Sequence, residues 1–130
     1  MTVYLWIAAG GAIGSTLRFW LSSLVSSGAG HAFPWGTLVV NVLGSFVIGF
    51  FAGCAGPLGT SSVSDSTRHF IMTGVLGGFT TFSAFSLQTL ALARDGAWLK
   101  ASGNVVGSVS LCLLAVWLGY VVAVWCRARV

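Results

Sequence analysis

The stretch GVLGGFTTFSAFS, residues 74–86, combines residue types that could handle ions. Glycine costs about 1 kcal/mol in a helix interior and threonine is stiff at χ1. Gly77 and Gly78, followed by Thr80 and Thr81, therefore predict a break in a helix. A break would free backbone carbonyls, which with half-helix ends are a recurring way of holding Na⁺ and similar cations in membrane proteins.

Two phenylalanines follow the expected break at helical spacing. Phe82 and Phe85 share one helix face, and Ser83 and Ser86 share the adjacent face. The rings could simply pack in a core. Because the edge of an aromatic ring is electropositive, they could instead present their edges to a small anion. The residues alone leave both interpretations open.

Arg18 and Asn41 also lie within apolar segments. Arg18 follows GGAIGSTL, and it could snorkel to the nearer interface or draw an anion towards a vestibule. Asn41 lies in GTLVVNVLGSFVIG, and its amide could join two helices or donate two N–H groups to an anion or to water. Farther along, Asn104, Ser108 and Cys112 share one helix face, which could form a weakly polar ion track or bond to a neighbouring helix.

Acidic side chains are almost absent. The chain has two, Asp65 and Asp95, and both lie in predicted loops. A proton-coupled cation exporter normally needs a carboxylate within the membrane. Because His31 and His69 also lie at loops or helix ends, the interior of the predicted spans contains no acidic or histidine side chain that could form a proton relay. No nucleophile has a visible base, so we do not expect an enzyme. The scattered basic residues form no surface for nucleic acid, and the cysteines lack metal-ligand spacing.

The elements that must position these side chains are membrane helices. Of the 130 residues, 56% are hydrophobic and 6% charged, whereas soluble domains carry about 25% charged residues. A span needs roughly 20 apolar residues, and four segments qualify: residues 3–25, 35–55, 69–93 and 102–126. We therefore expect an all-α integral membrane protein, with one four-helix transmembrane domain over residues 1–130 and a broken third helix.

The distribution of basic residues does not set an orientation. With four spans, Arg68, Arg127 and Arg129 lie on the side of the termini, and Arg94 and Lys100 lie opposite. If Arg18 points to its nearer end, it joins the opposite side and each side has three basic residues. Either signals elsewhere in the chain determine its orientation in the bilayer, or the chain inserts in both orientations and two copies pair antiparallel. Four helices barely enclose a pathway, which favours a second subunit. Four glycine pairs would allow close helix packing: Gly10 with Gly14, Gly49 with Gly53, Gly74 with Gly78, and Gly103 with Gly107.

Three motifs in this order, GGAIGSTLR, GTLVVNVLGSFVIG and GVLGGFTTFSAFS, resemble the Fluc fluoride-channel family, also called CrcB. The resemblance covers essentially the whole chain, and GGFTTFS is its highly specific core. It implies a dual-topology, antiparallel homodimer in the bacterial inner membrane. Two pores along the dimer interface would conduct F⁻ passively out of the cytoplasm, with high selectivity over Cl⁻.

The resemblance also implies roles for single residues. Backbone carbonyls of Gly77 and Thr80 from both subunits would hold a structural Na⁺ at the dimer centre, and Arg18 would line the vestibule. The implied fluoride pore comprises Asn41, Phe82, Phe85, Ser83, Ser108 and Cys112. Cys112 stands where a hydroxyl would be a better anion donor. The main alternative is a small multidrug-type proton-coupled exporter, against which the missing intramembrane carboxylate argues.

Overall fold

The computed structural model describes residues 1–30, 32–55 and 63–129, and all regular structure within these ranges is helical. His31, one of the loop histidines, lies outside them. The elements in chain order are α1 (Thr2–Ala29), α2 (Trp35–Ala55), α3 (Asp65–Arg68), a π-helical segment (His69–Leu76), α4 (Gly77–Phe79), α5 (Phe82–Arg94) and α6 (Trp98–Arg127). The all-α prediction is therefore confirmed for the described residues.

Three stretches of the described chain are long and apolar enough to cross a membrane: Trp35–Ala55, Asp65–Arg94 and Trp98–Arg127. They coincide with the last three predicted spans. The helix α1 has 28 residues, which is ample length, but its glycines, serines and Arg18 make it less apolar than the other three. The protein is thus a multi-pass membrane protein, and the span over residues 3–25 stays a prediction.

The buried positions of α6 are small or polar, whereas its large apolar side chains face outwards. Six residues of this helix are buried: Ala101, Asn104, Ser108, Ala115, Gly119 and Ala123. Trp117 and Leu113 are 59% and 64% exposed. This distribution suits a bilayer, because lipid tails solvate large apolar groups and helices associate through small residues and hydrogen bonds.

Close backbone contacts hold the helices together. The helix α2 packs along α6, and a Cβ added at Gly49 would collide with the carbonyl oxygen of Val116. The helix α1 packs on the π-helical segment, where a Cβ at Gly10 would lie 2.6 Å from the carbonyl oxygen of Phe70. Three of the four predicted glycine pairs thus lie at helix contacts, whereas open space surrounds Gly103 and Gly107 in the single chain.

The third spanning segment is interrupted at two threonines. Thr80 and Thr81 have extended backbone, with ψ of 155° and 113°. The break is present as predicted, but it begins after Phe79. Gly77 is helical, with φ −65° and ψ −36°, and Gly78 packs with its Cα against α1, where an added Cβ would lie 2.7 Å from the Gly11 carbonyl oxygen. The glycines thus permit helix contact, and the β-branched threonines take the extended conformation that suits them.

The residues before the break form a π-helical turn that the sequence pattern did not predict. This segment, His69–Leu76, lies between α3 and α4 and packs against the glycine face of α1. A π-helical turn widens the helix locally, and such turns are frequently found at functional sites. Here the short helix α4 follows the π-helical segment, and the break begins after it.

Candidate functional site

Asn41 on α2 binds the backbone at the break with both ends of its amide. Its Nδ2 donates to the carbonyl oxygen of Thr81 at 3.0 Å, and its Oδ1 accepts from the N–H of Thr81 at 2.8 Å. The N–H and the carbonyl group of one extended residue thereby obtain hydrogen-bond partners within a membrane-spanning segment. The helix-joining role considered for Asn41 is the one that this geometry displays, and it uses one of the two side-chain N–H groups.

At the break several carbonyl groups lose their helical donors, and those of Gly77 and Thr80 are among them. In a continuous helix the N–H of Thr81 would reach the carbonyl of Gly77, and that of Ala84 would reach Thr80. Instead, Thr81 donates to Asn41, and Ala84 donates to Oγ1 of Thr81 at 3.2 Å. The carbonyls of Gly77 and Thr80 are the pair expected to hold Na⁺. Carbonyl oxygens without helical donors fit a hard monovalent cation.

A cavity of about 270 Å³ lies beside the break, between α2, the π-helical segment and the start of α5. We call it the break cavity. Its lining residues are Asn41, Gly44, Ser45, Ile48, Met72, Leu76, Gly77, Thr80, Thr81 and Phe82. Gly77 is exposed, and a Cβ there would meet only the Met72 carbonyl oxygen at 3.6 Å. The break is therefore open towards the outside of the single chain.

The two phenylalanines after the break have different surroundings. Phe82 is 76% exposed and lines the break cavity, whereas Phe85 is 8% exposed and is the buried residue of α5. Their ring centroids are 5.2 Å apart, with the planes inclined at 49°. The predicted shared face is therefore present. Within one chain, Phe85 belongs to the core, and the Phe82 ring is free to meet an ion or a second chain.

A larger cavity of about 770 Å³ opens between the second half of α1, the start of α2 and α5. We call it the serine cavity. Its polar lining consists of Arg18, Ser22, Ser23, Ser26, Ser27, Thr37, Thr81, Ser83 and Gln88. None of its described lining residues is acidic. Thr81 lines both cavities, so the break separates one from the other.

The predicted site residues did not include the serines of α1 that line this cavity. Ser22 and Ser26 follow Arg18 at intervals of four, so the three side chains share a helix face. That spacing is the signal that could have found them. Ser83 lines this serine cavity, as Arg18 does, and it does not line the break cavity.

The expected polar face of α6 makes internal hydrogen bonds. Asn104 is 2% exposed, and its Nδ2 donates to Thr89 Oγ1 on α5 at 2.8 Å. The hydroxyl of Ser108 is directed at Asn104 Oδ1, 3.4 Å away. Cys112 is half-buried one turn farther along. The structure thus gathers Asn41, Gly77, Thr80 and Phe82 at the break cavity and Arg18 and Ser83 at the serine cavity, while Phe85, Ser108 and Cys112 line neither.

Comparison with known proteins agrees with the motifs. The family described as CrcB-like protein, Camphor Resistance (CrcB), matches residues 5–120. A relative from Opitutus terrae, named fluoride-specific ion channel FluC, is 65% identical over 95% of this chain and 94% of its own length.

Two further relatives carry the same name. The one from Rhodospirillum rubrum is 59% identical over 93% of this chain and 94% of its own length. The one from Paramagnetospirillum magneticum is 58% identical over 95% and 96% of the respective lengths. All three relatives are named as ion channels, and ion channels are not a class of enzyme. The chain belongs to the CrcB-like family, as its three motifs predicted.

Proposed function

We propose that this chain forms a fluoride-specific channel that conducts F⁻ passively across the membrane. The observation that carries the proposal is the pair of cavities that meet at Thr81. Their described lining offers hydroxyls, two amides, an arginine and two aromatic rings, and no carboxylate. The name shared by the similar proteins, fluoride-specific ion channel, supports the choice of ion.

The chemistry of fluoride suits this lining. F⁻ is small and strongly hydrated, so a pore must replace its water with hydrogen-bond donors. The second N–H of Asn41 and the hydroxyl of Ser83 are such donors, and the exposed edge of Phe82 is electropositive. The charge of Arg18 raises the local anion concentration at the serine cavity.

The proposal includes a structural Na⁺ at the break. The carbonyl oxygens of Gly77 and Thr80 would bind it, together with the same groups of a second chain. The loss of their helical donors supports this role, because a cation would stabilise oxygens that no longer accept a helical hydrogen bond. Bound Na⁺ would supply positive charge that joins two subunits.

We extend the proposal to an antiparallel homodimer in the bacterial inner membrane, with both pores at the interface and F⁻ leaving the cytoplasm. The break cavity and Gly77 open on the outer face of the single chain, which supports completion by a second copy. The open surroundings of Gly103 and Gly107, and the even division of basic residues, also support it.

The test is an efflux assay with the purified protein in liposomes. We expect an imposed F⁻ gradient to dissipate and a Cl⁻ gradient to persist. Phe82→Ile removes the ring edge at the break cavity and should cut F⁻ efflux severely while the assembly persists. Phe50→Ile, on an exposed part of α2 outside both cavities, is the matched control. Efflux equal to that of empty liposomes would refute the channel, and wild-type efflux from Phe82→Ile would leave this ring as a packing residue.

The same assay distinguishes the proposed channel from the alternative, a small multidrug-type proton-coupled exporter. Such an exporter needs a carboxylate that exchanges protons within the membrane. Asp65 begins α3 and Asp95 follows α5, and both are exposed at helix ends. We therefore expect F⁻ efflux that needs no proton gradient, whereas efflux that appears only with such a gradient would favour the exporter.

A further inference from the structure

A partly buried chain of hydrogen bonds connects α6 to the half-helix that follows the break. Asn104 is 2% exposed, and its Nδ2 donates to Thr89 Oγ1 at 2.8 Å. Thr89 in turn donates from Oγ1 to the carbonyl oxygen of Phe85 at 2.8 Å. Among the described residues, no other side-chain hydrogen bond joins α5 to α6.

The direction of these bonds is fixed by the number of protons available. A threonine hydroxyl has one proton, and because Thr89 accepts from Asn104, that proton is free for Phe85. The other end of the Asn104 amide accepts from Ser108, at the longer distance of 3.4 Å. Each hydroxyl therefore has one acceptor, and the chain ends on the residue that carries one of the two rings.

The half-helix α5 depends on such anchors because the break separates it from the preceding helix. It has 13 residues, and Phe85 is its buried residue. Leu87 and Leu90 on the same helix are 69% and 56% exposed. One anchor is the bond pair from Asn41 to Thr81, and the other is Thr89, about 12 Å farther along the helix. Two separated anchors determine both the position and the direction of a helix axis.

We infer that Thr89 and Asn104 are positioning residues that orient α5 and so place the ring of Phe85. They act through α5 and need not touch the ion. The positioning role itself does not depend on the proposed function. Its consequence, that F⁻ conduction depends on the placement of the ring, does rest on the proposed function. Asn104 and Ser108 are then part of the support for the rings, in addition to any contact with an anion.

The experiment places 4-fluorophenylalanine at position 85 and records its ¹⁹F NMR signal in the purified full chain. Thr89→Val keeps the side-chain shape but removes the hydroxyl, so we expect the signal to shift and broaden. Thr89→Ser restores the hydroxyl and should restore the signal. Thr16→Val is the matched control, since Thr16 makes the same type of bond to the carbonyl four residues earlier, at 2.8 Å, on an exposed part of α1.

Fluoride efflux is measured on the same variants, without the label and per folded protein. We expect Thr89→Val to reduce efflux by about threefold to tenfold, the range that corresponds to the loss of one hydrogen bond. If Thr89→Val does not fold, Thr89→Cys replaces it, because sulfur is a weak donor and acceptor in a side chain of similar size. Thr89→Cys must then shift the signal, and Thr89→Ser must not.

Each outcome decides one of the two proposals. An unchanged Phe85 signal in folded Thr89→Val or Thr89→Cys overturns the positioning role. A shifted signal with wild-type efflux overturns the link to conduction. A shifted signal in a protein whose wild type carries no F⁻ supports the positioning role and overturns the proposed function instead.

Discussion

At the scale of single residues, the side chain of Asn41 determines how the break is built. An asparagine amide carries a donor and an acceptor at the same spacing as a peptide group, so it can pair with one residue of extended backbone. It does so with Thr81, at 3.0 and 2.8 Å. The hydroxyl of Thr81 then caps α5 through the N–H of Ala84. Two polar side chains thus replace two of the helical hydrogen bonds that the break removes, those of the Thr81 and Ala84 N–H groups.

Asn41→Leu should test this dependence. The substitution leaves the N–H and carbonyl of Thr81 without their side-chain partners, and each buried polar group left unpaired costs about 1–3 kcal/mol. We expect a lower midpoint of thermal unfolding in detergent and faster amide hydrogen exchange at Thr81 and Ala84. Asn41→Asp keeps the acceptor oxygen and should protect the N–H of Thr81 better than leucine does.

A matched control for this prediction is Ser45→Ala, which alters the same cavity one turn later on α2 without touching the Asn41 bonds. It should leave exchange at Thr81 unchanged. Wild-type exchange at Thr81 in Asn41→Leu would show that the amide does not hold the break.

At the scale of elements, backbone contact between helices fixes where the break lies. The face of α1 that carries Gly10 and Gly14 meets the π-helical segment and α4 so closely that a side chain would strike backbone atoms. The helix up to Phe79 is therefore held against α1, and the following half-helix α5 packs on α6 instead. The chain changes neighbours between these two helices, and the extended threonines make that change possible.

Gly14→Ala should disturb this contact. A Cβ at Gly14 would collide with the carbonyl oxygen of Val75 and lie 2.8 Å from the backbone nitrogen of Phe79. Backbone atoms cannot rotate away as a side chain can, so the helices must separate, at a cost of about 1–3 kcal/mol. We expect a lower unfolding midpoint and weaker F⁻ efflux.

Gly11→Ala is the control on the same helix, because a Cβ there meets nothing within 4 Å. It should unfold at the wild-type temperature or slightly above, since alanine favours helix over glycine. Equal midpoints for the two alanine variants would contradict the tight contact at Gly14.

At the scale of the whole molecule, the single chain leaves its central features on an open surface. Gly77 is exposed, Phe82 is 76% exposed, and the break cavity opens outwards. A bilayer cannot satisfy carbonyl groups at that depth, so these features need protein or ions around them. The proposed antiparallel pair with a central Na⁺ provides both.

Removal of Na⁺ should therefore weaken the pair. The purified protein is transferred to a buffer in which a large organic cation replaces Na⁺ at constant ionic strength. We expect the dimer to dissociate at a higher protein concentration than in Na⁺ and the protein to unfold at a lower temperature. Analytical ultracentrifugation in detergent and thermal unfolding measure these effects. Added Na⁺ should restore the assembly, whereas an assembly indifferent to Na⁺ would contradict a cation at the break.

Local chemistry in the sequence was enough to identify several features. The low charge and long apolar segments predict membrane helices, because a bilayer admits little else. The pattern GGFTTFS predicts a break, and the spacing of Phe82 and Phe85 predicts a shared face. Each of these follows from neighbours along the chain, where helical geometry fixes which residues meet.

Contacts between distant parts of the chain were decided by the tertiary structure alone. The bond pair between Asn41 and Thr81 joins residues 40 positions apart, and it pairs the extended backbone at the threonines, whereas Gly77 remains helical. The bond from Asn104 to Thr89 likewise became visible only once α5 and α6 lay side by side. A sequence gives the donors and acceptors, but which of them pair depends on how the helices pack.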